Sequence, residues 1–522
     1  MKNAKRAIAL LLVFILLFMT SCSKIKNGEG AQNPPSENAE EQIATLQLLY
    51  CASDTLNPFN TKNSLNQMLG RLLFEPLFAI SNEFEAIPVL AESISLEEKT
   101  YTVRLISAKF SDGSPVTAED VIASYNLAKE SALYSYLFYN VASAYAEDGA
   151  IKFTLKEHDP LFQNMLTFPI IKKDSDKLTD SDKIELPPIG SGKFIFGKDD
   201  VLSEKSLIKN PQYHGECNID LIKLVDAPDS EAVAHHVEVG ATDIYFADPA
   251  EGNIVRMSGH KTSININNLL YIGINHKRGK LSDPALRQAL SAAIDRTAIC
   301  KTPYYGNAEP ATGVFHPDFA ATKGYQTIQL TAQNKICVEN LEKIGYNNLD
   351  NGGFYANDKG AIIELELLVN RENAMRVAAA EMISSQAAAA GIKIKVNAVA
   401  KEIYFAALLN ENFDLYLGEV KISQNMDMSE LVLEGGSCAY GIVNPKKSDG
   451  EEAAIDYTDV LKGIKNGEDS LSSLATALVT DMPIIPLLFR SSLLFYSENV
   501  SEVDGAGSYD IFLNLNNFIK KP

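Results

Sequence analysis

Apolar residues fall in two rhythms along this chain: every second position in short runs, and every third or fourth in longer ones. "TLQLLYCA" at 45–52 is dense enough for a buried strand, and "LNPFN" just after it reads as a turn. "SLNQMLGRLLFEPLF" places Leu65, Leu69, Leu72 and Leu73 on one helical face, with Pro76 marking the end. In "KTYTVRLI", Tyr101, Val103 and Leu105 alternate with Thr102 and Arg104, which predicts a half-buried strand. "TAEDVIASYNLAKE" opens a helix with Thr117 as its cap and Asp120 three residues on, close to a capping box. Glu119 and Asp120 also suit the positive end of that helix.

The mixture continues downstream. "LPPIGSGKFIF" is a Pro/Gly loop leading into a strand, and "HHVEVGATDIYF" predicts a helix stopped by Gly240 and then a short strand. "LLYIGINHKR" reads as a buried strand. "SDPALRQALSAAIDR" has Asp283 as cap and Pro284 at the first helical position, where proline costs no hydrogen bond; Leu286, Leu290 and Ile294 follow at helical spacing. "RVAAAEMISSQAAAA" predicts a helix ending at Gly391, "IKIKVNAV" a strand with Ile392, Ile394 and Val396 on one face against Lys393 and Lys395, and "ENFDLYLGEV" another strand. "DMPIIPLLFRSSLLFY" is apolar and broken by prolines. No repeat of 20–50 residues is visible. Strands and helices mix throughout, so the class is α/β or α+β with two lobes or more.

The N-terminal pattern bears on compartment. Lys2, Lys5 and Arg6 precede an apolar run from Ala7 to Met19, which is short against the roughly 20 residues of a membrane span. Charge, apolar middle and small residues make an export signal. Met19, Thr20, Ser21 and Cys22 resemble the lipobox of bacterial lipoproteins, which implies cleavage before Cys22 and a diacylglycerol on its thiol. "SKIKNGEGAQNPPSENAEEQ" is too polar to offset its chain entropy and is expected to be a disordered tether.

Composition narrows the classes further. Among 522 residues, 46% are hydrophobic, enough for a real core, and the net charge of -20 argues against nucleic acid and anionic lipid surfaces. Besides Cys22, five cysteines are scattered without a C-x-x-C pair: Cys51, Cys217, Cys300, Cys337 and Cys438. Most are expected to be small buried hydrophobes. "IGSGKF" is not a phosphate loop, because Lys193 is followed by Phe194 and position 187 is proline. His235 and His236 are neighbours and so point about 100° apart on a helix; the other histidines are isolated, and no metal or cofactor is expected. No G-x-S-x-G elbow occurs, "GGSCA" at 435–439 being a partial likeness, and an enzyme is not expected.

The blocks "GRLLFEPLF", "KFSDGSPVTAEDV", "PPIGSGKFIFG", "NPQYHGE", "YIGINHKRGKLSDPALRQALSAAIDRTAI" and "MPIIPLLF" resemble, in this order, the large extracellular solute-binding proteins of peptide and nickel ABC importers (family 5). The resemblance implies a two-lobed, class II periplasmic-binding-protein-like α/β fold. Residues 1–22 would be the lipoprotein signal and 23–44 the tether. Lobe I would comprise 45–85, 190–268 and 491–522, with a small α+β domain, 86–189, inserted in it, and lobe II would run 269–490. It implies a monomer on the outer face of the bacterial cytoplasmic membrane, lipid-anchored through Cys22. There it would capture a small solute, by family a peptide, in an interlobe cleft and deliver it to permease subunits. A metal chelate, a sugar or a signalling molecule stays open as cargo, and a surface hydrolase is the reading from another class.

For the ligand, the resemblance points to Lys62, Asn63 and Ser64 after the "LNPFN" turn, and to Tyr245 and Phe246 at a strand end. Many relatives carry a Trp and then an Asp that grips a peptide's ammonium near "LGEVKISQNMDMSELV". This chain has Glu419 at the first position and no Asp at the second, so either Glu419 or Asp427 replaces that clamp or the ligand is not an ordinary peptide. Lys421, if it faces the cleft, would favour a carboxylate or phosphate.

Overall fold

In a computed structural model, the described residues are 44–181, 183, 185–198, 205–250, 255–444, 456–503 and 505–521. The export signal, Cys22 and the tether up to residue 43 lie outside them. The expected buried strand forms as Thr45–Tyr50 and runs parallel to Leu221–Asp226; Lys205–Lys209 and Phe194–Lys198 complete a four-stranded sheet. A second four-stranded sheet is antiparallel throughout, in the order Ala91–Glu97, Thr100–Leu105, Ala150–Leu155, Val141–Glu147. Tyr101 and Val103 turn inward as their alternation requires, against the helix Ala118–Glu130, whose Thr117–Asp120 capping box is complete.

The largest sheet has seven strands. Its order is Ile244–Ala247, Ile484–Tyr496, His260–Ile274, Leu415–Lys421, Glu364–Asn370, Lys393–Val399, with Ala308–Pro310 added beside Ile484–Tyr496. Glu364–Asn370 is parallel to both neighbours, and the helices Ala374–Ala389 and Lys401–Leu409 make the crossovers. Gly391, at φ +83°, ends the first of these helices as expected. The helix Pro284–Ala292 is capped by Asp283 as the sequence implies, but it stops before Ile294, which buries its side chain just past the helix end.

Two strands tie the molecule together. One end of His260–Ile274 contributes Ile264 to the core of the first two sheets; the other contributes Leu270, Ile272 and Ile274 to a separate core. Ile484–Tyr496 does the same with Leu494 at one end and Ile485, Leu487 and Leu488 at the other. The prolines do not break this segment, contrary to the sequence reading. The register slips at Leu487, between the pairs Leu270–Leu488 and Tyr271–Pro486, so Pro486 stands beside a bulge, where strands tolerate proline, and the strand runs on for 13 residues.

Two local features explain glycines. In "IGSGKF", a Cβ on Gly192 would stand 2.4 Å from the Leu72 carbonyl oxygen, and one on Gly190 2.1 Å from that of Leu73. The loop is pressed on the C-terminal end of helix Ser64–Leu73, and the Gly192 N–H donates to the Leu73 carbonyl at 3.0 Å. The glycines serve backbone packing. In the large sheet, "YIG" and "YLG" lie antiparallel, so that Tyr271 faces Gly418 and Gly273 faces Tyr416. Each ring lies over the other strand's glycine, and the two hydroxyls meet at 3.2 Å.

All five described cysteines are free thiols, and four are buried. No helix among the described residues is long and apolar enough to cross a membrane.

The Tyr–Gly exchange makes a prediction. A Cβ on Gly273 would lie 1.9 Å from the Tyr416 ring. Gly273→Ala should therefore destabilise the protein by about 3 kcal/mol, the upper end for overpacking a core. Urea unfolding followed by far-UV circular dichroism checks this, since the chain has no Trp to report by fluorescence.

Candidate ligand-binding cavity

Where those two long strands pass from one core to the other, their pairing slips. Asn265 pairs with Ser491 and Leu269 with Phe489, so Ile266, Asn267 and Asn268 together face Arg490. Such a bulge frees side chains from the ladder and re-aims them. Here Ile266, Asn267, Asn268 and Arg490 all line a cavity of about 730 Å³.

Arg490 is 7% exposed and cannot be left unpaired there. Its Nε donates to Glu419 Oε1 at 2.6 Å and its Nη1 to Asp248 Oδ1 at 2.5 Å. Arg376 Nη2 donates to Glu419 Oε2 at 2.7 Å, and Asn268 Nδ2 to Oε1 at 3.0 Å. Burial alone would push the Glu419 carboxyl up, but Arg490 and then Arg376 outweigh it and hold it below the usual range. Glu419 is thus fully engaged by two arginines and presents no free carboxylate to an ammonium.

Asp54 organises another stretch of the cavity edge. Its carboxylate accepts the Asn63 N–H at 2.7 Å, the Lys62 N–H at 2.8 Å and the Thr61 hydroxyl at 2.8 Å. Burial opposes ionisation here, but these bonds win and keep Asp54 below the usual carboxylate range. Asn63 then caps the helix Ser64–Leu73, so Asn63 and Ser64 are fixed at the cavity edge. Lys62 points elsewhere, to a second depression with Asn60 and Glu130. Tyr245 and Phe246 both line the cavity while packing their other sides on the cores; Tyr245 stacks on Phe495.

Lys421 reaches the cavity and is open to its water, yet protein crowds around it, and that desolvation lowers its pKa from the usual 10.5. Its Nζ stands 5.5 Å from the centre of the Tyr509 ring. Among the described residues no carboxylate pairs with it. Asp229 also lines the cavity, at the cap of helix Ser230–Glu238; its Oδ1 accepts the Ala232 N–H at 2.9 Å, and it too lacks a cationic partner among the described residues.

Asp427 is not in this wall. It accepts the Tyr139 hydroxyl at 3.0 Å beside a cavity of about 40 Å³. Its loop joins the smaller antiparallel sheet and the segment after it: Asn425 donates to Asp159 at 2.7 Å, and Asn164 to the Gln424 carbonyl at 2.9 Å. Of the eight ligand residues expected, the structure gathers Asn63, Ser64, Tyr245, Phe246 and Lys421 around one cavity, sets Glu419 behind it, and leaves Lys62 and Asp427 outside. Arg490, Arg376, Asp248 and Asp229 were missed. Arg490 had a visible signal: a single charge inside "PIIPLLFRSSLLFY", where a buried strand has to supply its partners.

The profile of "Bacterial extracellular solute-binding proteins, family 5 Middle" matches residues 85–436, about two thirds of the chain. The glutathione-binding protein GsiB of Escherichia coli O6:K15:H31 is 28% identical over 311 residues, which cover 56% of this chain and 60% of GsiB. The chain thus spans about 60% of the length of this curated relative. The unliganded open form of the periplasmic murein tripeptide binding protein MppA superposes with a TM-score of 0.73 at 17% identity, covering 92% of this chain and 98% of MppA. A nickel ABC transporter structure from Bacillus halodurans gives 0.71 at 22% identity, covering 92% and 99%. The fold is therefore the mixed α/β periplasmic-binding-protein fold.

The charge network behind the cavity predicts a stability effect. Glu419→Gln leaves Arg376 and part of Arg490 uncompensated and should cost about 3 kcal/mol. Because Glu419 has a depressed folded pKa, its contribution is complete above its usual value of 4.5 and fades as pH falls through the lowered one. The penalty of the variant, measured by urea unfolding, should accordingly shrink at acid pH and persist at pH 7.

Proposed function

The chain belongs to the bacterial extracellular solute-binding proteins of family 5, and we propose that it is the receptor of an ABC importer for a small zwitterionic solute, by preference a short peptide. One observation carries this reading: the cavity wall holds one uncommitted base, Lys421, and one uncommitted acid, Asp229, while its other charges neutralise one another. A carboxylate on Lys421 and an ammonium on Asp229 would each gain a charge-assisted bond out of bulk water. Tyr245, Phe246 and Met68 supply the apolar surface between. The volume is in the range of cavities that enclose small organic ligands, roughly 300–1,000 Å³. Asp229 replaces Glu419 and Asp427 in the role expected of them.

The same family supports the rest of the reading. Similar proteins are named for glutathione, a murein tripeptide and nickel. In the proposed arrangement two lobes, divided near 268/269 and 490/491, close on the solute, with the small domain 86–189 set in the first. Closure requires the ligand to bind the shut state better than the open one. The bulge at Ile266–Asn268 opposite Arg490 falls at that division. Permease subunits would receive the closed form, a monomer held outside the cytoplasmic membrane by lipid on Cys22.

Native mass spectrometry of freshly purified protein should reveal retained cargo, and calorimetry with short peptides should give the affinity. Lys421→Met should weaken binding about 10- to 100-fold, the worth of a hydrogen bond to a charged group. Amidating the peptide's C-terminus should cost the wild type as much and the variant little; N-acetylation should do the same for Asp229→Asn. Since the lysine binds as a cation and its pKa is lowered, affinity should fall as pH rises, beginning below the ordinary lysine range. Unchanged affinity in both variants would overturn the zwitterion reading, and steady conversion of the peptide would overturn the receptor reading. Cys22→Ser should abolish incorporation of labelled fatty acid and release the protein from membranes, as fractionation would read out.

A further inference from the structure

Away from that cavity, three side chains able to ligate a metal converge. Glu309, His316 and Asp318 each offer an atom within 4.8 Å of the other two, and none of them lines the cavity. Glu309 stands on the short strand Ala308–Pro310, paired with Phe489; His316 and Asp318 follow in the next loop. His316 is wholly buried, its ring 4.7 Å from that of Phe84 and 4.8 Å from that of Phe489. Nδ1 accepts the Asp318 N–H at 3.2 Å, but Nε2 has no hydrogen-bond partner. The nearest carboxylate oxygen to it, Glu309 Oε2, is 3.8 Å away, beyond hydrogen-bond reach. A buried polar atom without a partner in a folded protein needs a reason.

We propose that Glu309, His316 and Asp318 form a binding site for a divalent first-row transition ion, for which Zn²⁺ is the probe. Zinc binds imidazole nitrogen and carboxylate oxygen at about 2.0–2.2 Å, so two ligands 3.8 Å apart can share one ion with no large movement. One imidazole with carboxylates suits zinc and its neighbours, whereas calcium and magnesium take oxygen alone. An ion on Nε2 places the ring proton on Nδ1. The contact with the Asp318 N–H then gives way, and Asp318 Oδ2, 3.8 Å from Nδ1, is placed to accept that proton or to join the ion. Asn265 Nδ2 already holds Asp318 Oδ2 at 2.7 Å, the kind of outer contact that orients a ligand carboxylate. The ion would offset the repulsion between the two acids and fasten their loop to the strand His260–Ile274, one residue before its bulge.

The test is calorimetry on the full chain stripped with EDTA, titrated with ZnCl₂ and in parallel with MgCl₂ and CaCl₂. Expected are one bound equivalent of zinc, a raised Tm with zinc, and no response to the other two. Glu309→Gln and Asp318→Asn, both partly exposed side chains, should each weaken zinc about tenfold or more, and Asn265→Ala about tenfold. His316→Gln should abolish the site; as His316 is in the core, the surface variants carry the test if this one fails to fold. Zinc uptake that the Glu309→Gln/Asp318→Asn double variant leaves unchanged would overturn the proposal, because the ion would then sit elsewhere, for example on thiols. No uptake by the wild type would overturn it equally.

Discussion

A single arginine inside a buried strand constrains the centre of this protein. Arg490 sits where a 13-residue strand passes between two cores, and at 7% exposure its charge cannot go unanswered. The answer comes from distant parts of the chain: Asp248 after one edge strand and Glu419 from the strand beyond His260–Ile274 on the other side, itself held by Arg376 at the start of a helix. Removing any member strands another, so the four charges specify one arrangement. The extra residues in the facing strand are what make room for it. Ile266, Asn267 and Asn268 leave their pairing with Ile484–Tyr496 together, while Asn268 keeps its pairing with Lys421, and its side chain completes the Glu419 shell.

In the proposed reading, that internal neutrality shapes what the cavity can recognise. Two arginines and two acids cancel, which leaves Lys421 and Asp229 as the charges a solute would meet. The protein as a whole carries a formal charge of -20, so an anionic solute is repelled at long range and has to be attracted locally. Lys421 is suited to this. Crowding raises the cost of its charge when nothing sits beside it, and an arriving carboxylate would relieve that cost. A cavity that is neutral apart from one such cation and one acid favours a molecule bearing both signs over one bearing either.

Much of the fold was legible because its signals are local. Thr117 with Asp120, Asp283 with Pro284, and Gly391 after an alanine-rich run each declare a helix end in a few residues, and each is found there. The strand Ile484–Tyr496 was misread because proline's cost depends on what lies across from it. The register shift beside Pro486 arises only in pairing with His260–Ile274, more than 200 residues earlier, and nothing nearby reveals it. The cavity was half legible for the same reason. Asn63, Ser64, Tyr245, Phe246 and Lys421 follow from the resemblance to a family of receptors, which fixes where segments go. The pairing of Glu419 with Arg490 and Arg376 spans 71 and 43 residues and is set by sheet order alone. His316 looked isolated in sequence, since Glu309 becomes its neighbour only when the short strand Ala308–Pro310 docks on Ile484–Tyr496.

The position of the bulge also bears on how such a receptor would move. On one side of it, Tyr271 and Tyr416 lock over Gly418 and Gly273, a pairing that tolerates no sliding because each ring fills the space a Cβ would need. On the other side, Ile244–Ala247 and His260–Asn265 flank Ile484–Tyr496 in regular register. Between these two stiff lengths the pairing of the two long strands with each other is interrupted, in the wall of the cavity itself, although Asn268 still pairs with Lys421 and Arg490 with Ala308. Bending concentrates where backbone hydrogen bonds are fewest, so in the proposed two-lobe reading the strands flex at the place where the solute makes contact. A ligand bridging Lys421 and Asp229 would then act on the bend directly, drawing the strand Leu415–Lys421 toward the start of the helix Ser230–Glu238. Recognition and closure would be one event, driven by the same two charges.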